Sequence, residues 1–311
     1  MFSRKLVIIV GPTASGKSKT AVFLAQKLNG EIISADSIQV YRGFDIGSAK
    51  PAPETLRIAK HHLIDVADAG DDFSMGDFVR MAEKIIDGIW EREKIPIVAG
   101  GTGLYIRGLL KGVFDAPKRD EEYRGSLREI AEQKGVSYLH DILTEIDPEA
   151  AKKIMRNDSQ RIFRALELSH KTKRTMSELI REDGFGRDRY ESIKIGVNLE
   201  RGKLYEKIDA RVDEFFRNGL IDEVRSLLAS GVDAECNAFK AVGYREVVSF
   251  LSGEIDRDTM ISLVKRNTRR YAKRQMTWFR KEEGIRWFIF EDDAAEKFDE
   301  IKEHVLKNLQ D

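Results

Sequence analysis

The stretch whose residue types and spacing carry the clearest chemistry is Gly11-Pro12-Thr13-Ala14-Ser15-Gly16-Lys17-Ser18. It follows an apolar run, Leu6-Val7-Ile8-Ile9-Val10, and leads into a helix-forming segment beginning at Lys19. Strand, G-x-x-x-x-G-K-[ST] and helix in that order are the context of a phosphate-binding loop. Glycines let backbone N–H groups turn inward on a phosphate, and the helix that follows points its positive end at the same spot. Lys17 adds a point charge, and the Ser18 hydroxyl is a hard oxygen suited to Mg²⁺. The loop is read as binding a di- or triphosphate. By itself it does not say which.

Two more segments offer chemistry. Gly30-Glu31-Ile32-Ile33-Ser34 reads as a strand, and Asp36 lies just past it, at the sheet edge where ligands bind in such folds. Asp36 is therefore a candidate base or metal-side acid, or else a helix N-cap, since Asp-Ser is good capping chemistry. Ile95-Pro96-Ile97-Val98-Ala99 then leads into Gly100-Gly101-Thr102-Gly103. That strand lacks the terminal Asp many phosphate-loop enzymes carry. The turn after it either presents amides and the Thr102 hydroxyl to the site or simply connects strand to helix.

The remaining elements must position these groups. Residues 44–53 read as an irregular loop and His61–Val66 as a strand, on which adjacent histidines point to opposite faces and do not make a metal pair. Ser74 caps a helix that runs to Arg92, with apolar residues at helical spacing. Residues 115–189 are charged and helical in pattern, with helices expected at Glu121–Lys134, Tyr138–Ile146, Pro148–Ile154, Ser159–Lys171 and Thr175–Arg181. They read as an insertion, flanked by the turns 112–117 and 184–189, in an α/β core made of residues 1–114 and 190–311. Within it, Arg161 and Arg164 share a helix face. A strand returns at Ile193–Val197, and helices follow at Leu204–Leu228 and Leu263–Lys281.

The last of these holds Lys265, Arg266, Arg269, Arg270, Lys273, Arg274, Arg280 and Lys281 with no acid among them, and Tyr271, Trp278 and Phe279 interleaved. Basic charge beside aromatic faces suits a nucleic-acid backbone with unstacked bases. The chain as a whole is neutral, with 53 basic and 53 acidic residues among 311, so any such affinity is local. Its single cysteine, Cys236, excludes a disulfide framework and a Cys-based zinc site. No stretch approaches the ~20 apolar residues of a membrane span. The first strand starts too early for a signal peptide, so a cytoplasmic protein is expected.

Three stretches together, Gly11–Ser18, Ser34–Tyr41 and Gly100–Tyr105, resemble the tRNA dimethylallyltransferase (tRNA isopentenyltransferase, IPP transferase) family. Asp45–Pro51, Asn157–Arg161, Val242–Arg245 and Lys273–Phe279 fit the same family in the same order, over nearly the whole chain. The chain ends soon after Trp287 without the Cys/His zinc-finger extension of eukaryotic relatives, so it looks like a bacterial-type member. The resemblance implies a parallel-sheet phosphate-loop fold with an inserted helical domain and a helical C-terminal part. It implies transfer of a dimethylallyl group from dimethylallyl diphosphate to the N6 amine of the adenine 3′ to a tRNA anticodon, with Mg²⁺ as cofactor and a monomer as the working unit. Gly11, Pro12, Thr13, Ala14, Ser15, Gly16, Lys17 and Ser18 would hold the diphosphate, Ser18 the metal, Asp36 would be the base, Arg211 would clamp the pyrophosphate, and Thr102 would contact the target nucleotide. The implied tRNA contacts are Asp36, Ser37, Ile38 and Gln39, then Arg124, Gln160, Arg161, Ile162, Phe163 and Arg164, then Gly243, Tyr244 and Arg245, with Arg270 and Arg274 from the basic helix. The competing reading is a small-molecule or nucleotide kinase binding ATP in the same loop, with Asp36 as its base.

Overall fold

The computed structural model describes residues 4–113, 117, 119–182, 188–291 and 295–310. Its sheet begins with β1 (Leu6–Val10), all five side chains of which are buried. Such a run, apolar on both faces, is what a central parallel strand requires. After α1 (Lys17–Lys27) come β2 (Gly30–Ser34), α2 (Pro53–Ile58), β3 (His61–His62), α3 (Met75–Glu91), β4 (Ile95–Gly100) and α4 (Gly103–Lys111). Helices α5 (Glu121–Lys134), α6 (Val136–Ile146), α7 (Pro148–Lys153), α8 (Ser159–Thr172) and α9 (Met176–Glu182) follow. The chain then returns through β5 (Ser192–Leu199), α10 (Arg201–Arg217), α11 (Leu220–Ala229), α12 (Tyr244–Leu251), α13 (Arg257–Phe279), β6 (Ile285–Phe290) and α14 (Ala295–Gln310).

All strand pairs are parallel, in the order β3-β2-β4-β1-β5-β6. Val10 is registered with Gly100 and with Gly196, and Ser34 with Ala99, so the loops that follow β1, β2 and β4 emerge side by side. That carboxyl edge is where ligands bind in open α/β sheets. The edge strand β6 is not expected from sequence. Its Trp287 packs against Gly196, where an added Cβ would lie 2.5 Å from the indole. α14 closes that end of the core with Ile301, Val305 and Leu309.

Two expectations for the elements change. The helix expected over Leu204–Leu228 breaks between α10 and α11 at Gly219, whose φ of 94° is left-handed. The strand expected over His61–Val66 keeps only His61 and His62, because Leu63 and Asp65 adopt left-handed φ values of 60° and 55°. The histidines have structural partners: His61 Nδ1 lies 2.8 Å from the Ala59 carbonyl and His62 Nε2 lies 2.7 Å from Glu31. Among the described residues no cluster of three or more His, Cys, Asp or Glu is arranged to hold a metal. None of the described helices is long and apolar enough to cross a membrane.

The chain divides into two compact units, Met1–Leu110 with Arg189–Asp311, and Lys111–Asp188. Of the expected flanking turns, residues 114–116 and 184–187 lie outside the described residues. The second unit has its own core of Leu127, Leu139, Leu143, Ile162, Phe163 and Leu166. Beside that core Glu167 accepts from Arg124 Nε at 2.9 Å, Arg164 at 2.6 Å and the Asp120 amide at 2.7 Å. Burial alone would raise the Glu167 pKa, but these three donors outweigh it and hold the carboxyl at about 2.

Candidate active site

The loop between β1 and α1 has the geometry of a phosphate cradle. Gly11 has φ 151° and sits so close to β5 that a Cβ would lie 2.1 Å from the Val197 carbonyl oxygen. Gly16, with φ 100°, and Ala14, with φ 63°, complete the turn. The Lys17 ammonium folds back to donate to the Pro12 carbonyl at 2.6 Å. Ser15 Oγ is buried with no partner among the described residues. Ser18 faces the cavity described below.

Asp36 takes the capping role among those its sequence position suggests, and it also lines the cavity described below. Its Oδ1 accepts from the Ile38 amide at 2.9 Å and the Gln39 amide at 3.3 Å, which caps the turn after β2. Both bonds go to Oδ1. The turn after β4 is tied to the same segment: Thr102 Oγ1 accepts from the Ser37 amide at 3.1 Å, and the Thr102 amide donates to the Ala35 carbonyl at 3.2 Å. An added Cβ at Gly100 would lie 2.1 Å from the Ala35 carbonyl oxygen, so only glycine allows this approach.

Lys17, Ser18, Asp36 and Arg211 all line one cavity of about 510 Å³, which also takes in Gly100 and Gly101. Burial, with the Arg211 guanidinium adding to it, lowers the Lys17 pKa to about 7 against the opposing pull of Asp36. Burial pushes the Asp36 carboxyl up, opposed by the Ile38 and Gln39 amides and by Lys17. Burial also lowers the pKa of Arg211, which Glu214 partly restores. Two desolvated cations and a carboxylate raised toward the working pH range make a site suited to an anion and a proton transfer.

The other expected contact residues divide by burial. Ser37, Ile38, Gln39 and Arg245 line the cavity, as does Arg274, whose guanidinium lies 5.6 Å from the Tyr271 ring. Arg270, Gln160 and Arg161 are exposed. Tyr244 is fully buried: its hydroxyl donates to Glu223 at 2.8 Å and accepts from the Ser48 amide at 3.2 Å. Ile162 and Phe163 are core side chains of the second unit, and Arg124 is buried in its pair with Glu167. The structure buries these four side chains, and Tyr244 also lines the cavity. Hydrophobic burial accounts for Ile162 and Phe163, and charge or hydroxyl pairing for Arg124 and Tyr244. Gly243, with φ 98°, starts α12, and its amide donates to Glu246. The basic helix is also less uniform than its sequence suggests: Lys265 and Arg269 pair with Asp213 and Asp209 of α10, each at 2.6 Å.

Two residues of this site escape sequence reading. Gln275 of α13 accepts from the Thr13 amide at 2.8 Å and donates to the Gly101 carbonyl at 3.0 Å. Its signal was present: Ala272, Gln275 and Phe279 form the buried face of a helix otherwise read by its charges. Glu223 of α11 accepts from the amides of Asp45 and Ile46 at 3.1 and 2.7 Å, and so holds the loop that walls the cavity with Gly47, Ser48 and Ala49. Nothing local in the sequence marks that contact, because the partners are 178 and 177 residues apart.

A family model described as "IPP transferase" matches residues 39–282, and one described as "Isopentenyl transferase" matches residues 4–68. The chain is 48% identical to a protein of Geotalea daltonii named tRNA dimethylallyltransferase 2, over 97% of this chain and 92% of that protein. It is 45% identical to the tRNA dimethylallyltransferase of Geobacter sulfurreducens, over 97% and 96%. Among solved structures, the full-length tRNA isopentenylpyrophosphate transferase of Bacillus halodurans aligns with a TM-score of 0.73 at 42% identity, covering 99% of this chain and 97% of that one. A eukaryotic dimethylallyltransferase described as acting on tRNA aligns with a TM-score of 0.82 at 27% identity, covering 98% and 80%.

Proposed function

The chain belongs to the IPP transferase family, and we propose that it transfers a dimethylallyl group from dimethylallyl diphosphate to the N6 amine of the adenine 3′ to a tRNA anticodon. The supporting observation is that Lys17, Asp36 and Arg211 converge on one cavity, between a phosphate loop and a glycine-rich turn. An adenine amine is a weak nucleophile because its lone pair is delocalised into the ring. As N6 bonds to C1 of the allyl group, the C1–O bond to the diphosphate breaks, and the amine must lose a proton. Asp36 Oδ2 accepts that proton as general base. The departing pyrophosphate takes the electron pair of the broken bond, and the loop amides, Lys17 and Arg211 stabilise its charge.

Mg²⁺ would be held by the Ser18 hydroxyl, a hard oxygen that faces the cavity. Bound there, it would supply positive charge to the diphosphate leaving group. The target adenine must leave its stack to reach the cavity. Ser37, Ile38, Gln39, Thr102, Arg245, Arg270 and Arg274 are the residues of the main unit we assign to the RNA, and exposed Gln160 and Arg161 those of the inserted unit. We take a monomer as the working unit. A tRNA substrate supports a cytoplasmic location.

The test is nucleoside mass spectrometry of unmodified tRNA incubated with protein, Mg²⁺ and dimethylallyl diphosphate. Isopentenyladenosine formed with the prenyl donor, and not with ATP in its place, is the expected result. No product on several tRNAs carrying adenine 3′ to the anticodon would overturn the reading.

A further inference from the structure

Three residues on one face of α13 grip the turn after β4. Tyr271 lies within hydrogen-bonding reach of Thr102, Gln275 donates to the Gly101 carbonyl, and Trp278 packs on Gly103, where an added Cβ would lie 2.3 Å from the indole. Their spacing, i, i+4 and i+7, is that of a single helical stripe. Of the three, Gln275 also reaches the phosphate loop, where it accepts from the Thr13 amide at 2.8 Å. Its amide has one way round, because the Thr13 N–H needs an acceptor and the Gly101 carbonyl needs a donor. The fit is close: Gln275 is 6% exposed, and a Cβ on Gly101 would lie 2.0 Å from Nε2.

We propose that Gln275 is a positioning residue that holds the phosphate loop and the Gly100–Gly103 turn at a fixed separation, and so sets the distance between donor carbon and acceptor amine. The inference rests on the transfer reaction proposed above. The phosphate loop carries the donor. The turn braces the segment that carries the base, through Thr102 and the Ser37 amide. Beyond the pairing of β1 with β4, the buried Gln275 amide ties the two halves of the site together, and the helix that supplies it also carries the exposed Arg270 and Arg274. Alignment acts on the reacting atoms rather than on ligand affinity, so its loss lowers turnover more than binding.

The test compares wild type, Gln275→Leu and Gln275→Glu. Gln275→Leu is expected to lower kcat by about 10²-fold, with Kd for tRNA and for inorganic pyrophosphate each within about threefold of wild type. Gln275→Glu adds a pH signature. Its carboxylate accepts from Thr13 but opposes the Gly101 carbonyl, whereas its protonated form donates to that carbonyl and restores both bonds. Its turnover relative to wild type should rise as pH falls. Hydrogen exchange supplies a readout independent of turnover: peptides covering 11–18 and 100–105 should lose protection together in Gln275→Leu. A kcat within about threefold of wild type, a loss confined to either Kd, a Gln275→Glu profile parallel to wild type, or lost protection in one peptide alone would each overturn the proposal. A wild-type protein without product would count against the transfer reaction, and the exchange result would still decide the role of Gln275.

Discussion

At the residue scale the site is a contest of charges within a buried cavity. Asp36 must be ionised to take a proton, and burial raises its pKa, so activity should increase as pH rises through that value. Lys17 must be protonated to hold a diphosphate, and its pKa of about 7 in the free protein means donor capture should weaken as pH rises further. The productive form, Asp36 ionised with Lys17 charged, thus occupies a window closed on both sides. A bell-shaped pH profile of kcat/KM for the donor is the expected outcome. Asp36→Asn should lower kcat by ~10²–10⁴-fold, remove the acidic limb of the profile and leave tRNA affinity nearly unchanged. Near-normal turnover in that variant would exclude Asp36 as the base.

At the element scale, α13 has two charged faces with different uses. Lys265 and Arg269 point at α10, where Asp213 and Asp209 neutralise them. Arg266, Arg270, Lys273 and Arg274 are exposed. Replacing Arg270, Lys273 and Arg274 with Gln should flatten the dependence of log K for tRNA on log salt by about 2, at ~0.7 for each phosphate no longer neutralised. Arg269→Gln should leave that slope nearly unaltered, since its charge is already satisfied. Binding measured across a salt series separates the two. Equal slopes for the triple variant and wild type would make this face structural.

At the scale of the whole molecule, the second unit has a core and an ion cluster of its own. Glu167 is fully buried and holds Arg124, Arg164 and the start of α5. Glu167→Ala would strand the buried Arg124 guanidinium, and breaking one partner of such a pair costs about 3–5 kcal/mol. Hydrogen exchange should show lost protection across residues 119–182, with the peptides of β1 and β4 unaffected. The Glu167 pKa is held below its ordinary value, so its stabilisation is complete above the ordinary glutamate range and disappears as pH falls through about 2. Equal protection in variant and wild type would mean that the cluster does not stabilise the unit.

The phosphate loop, the strands either side of it and the helices of the inserted segment were legible from sequence, because each depends on local periodicity or on residues a few positions apart. Glycine at 11 and 16 follows from backbone geometry that other residues rarely adopt. Contacts between distant segments were not legible. The bridge from Gln275 to Thr13 spans 262 residues, and the clamp from Glu223 to Ile46 spans 177. Burial was equally hidden: packing seats Arg124 against Glu167 and Tyr244 against Glu223. The break at Gly219 and the short β3 depended on left-handed backbone that the flanking helical and apolar patterns mask. Sequence by itself therefore determined the local elements and which groups are candidates for the chemistry. Tertiary structure decided which of them face the cavity and what holds them there, because desolvation and long-range hydrogen bonds exist only once the chain is packed.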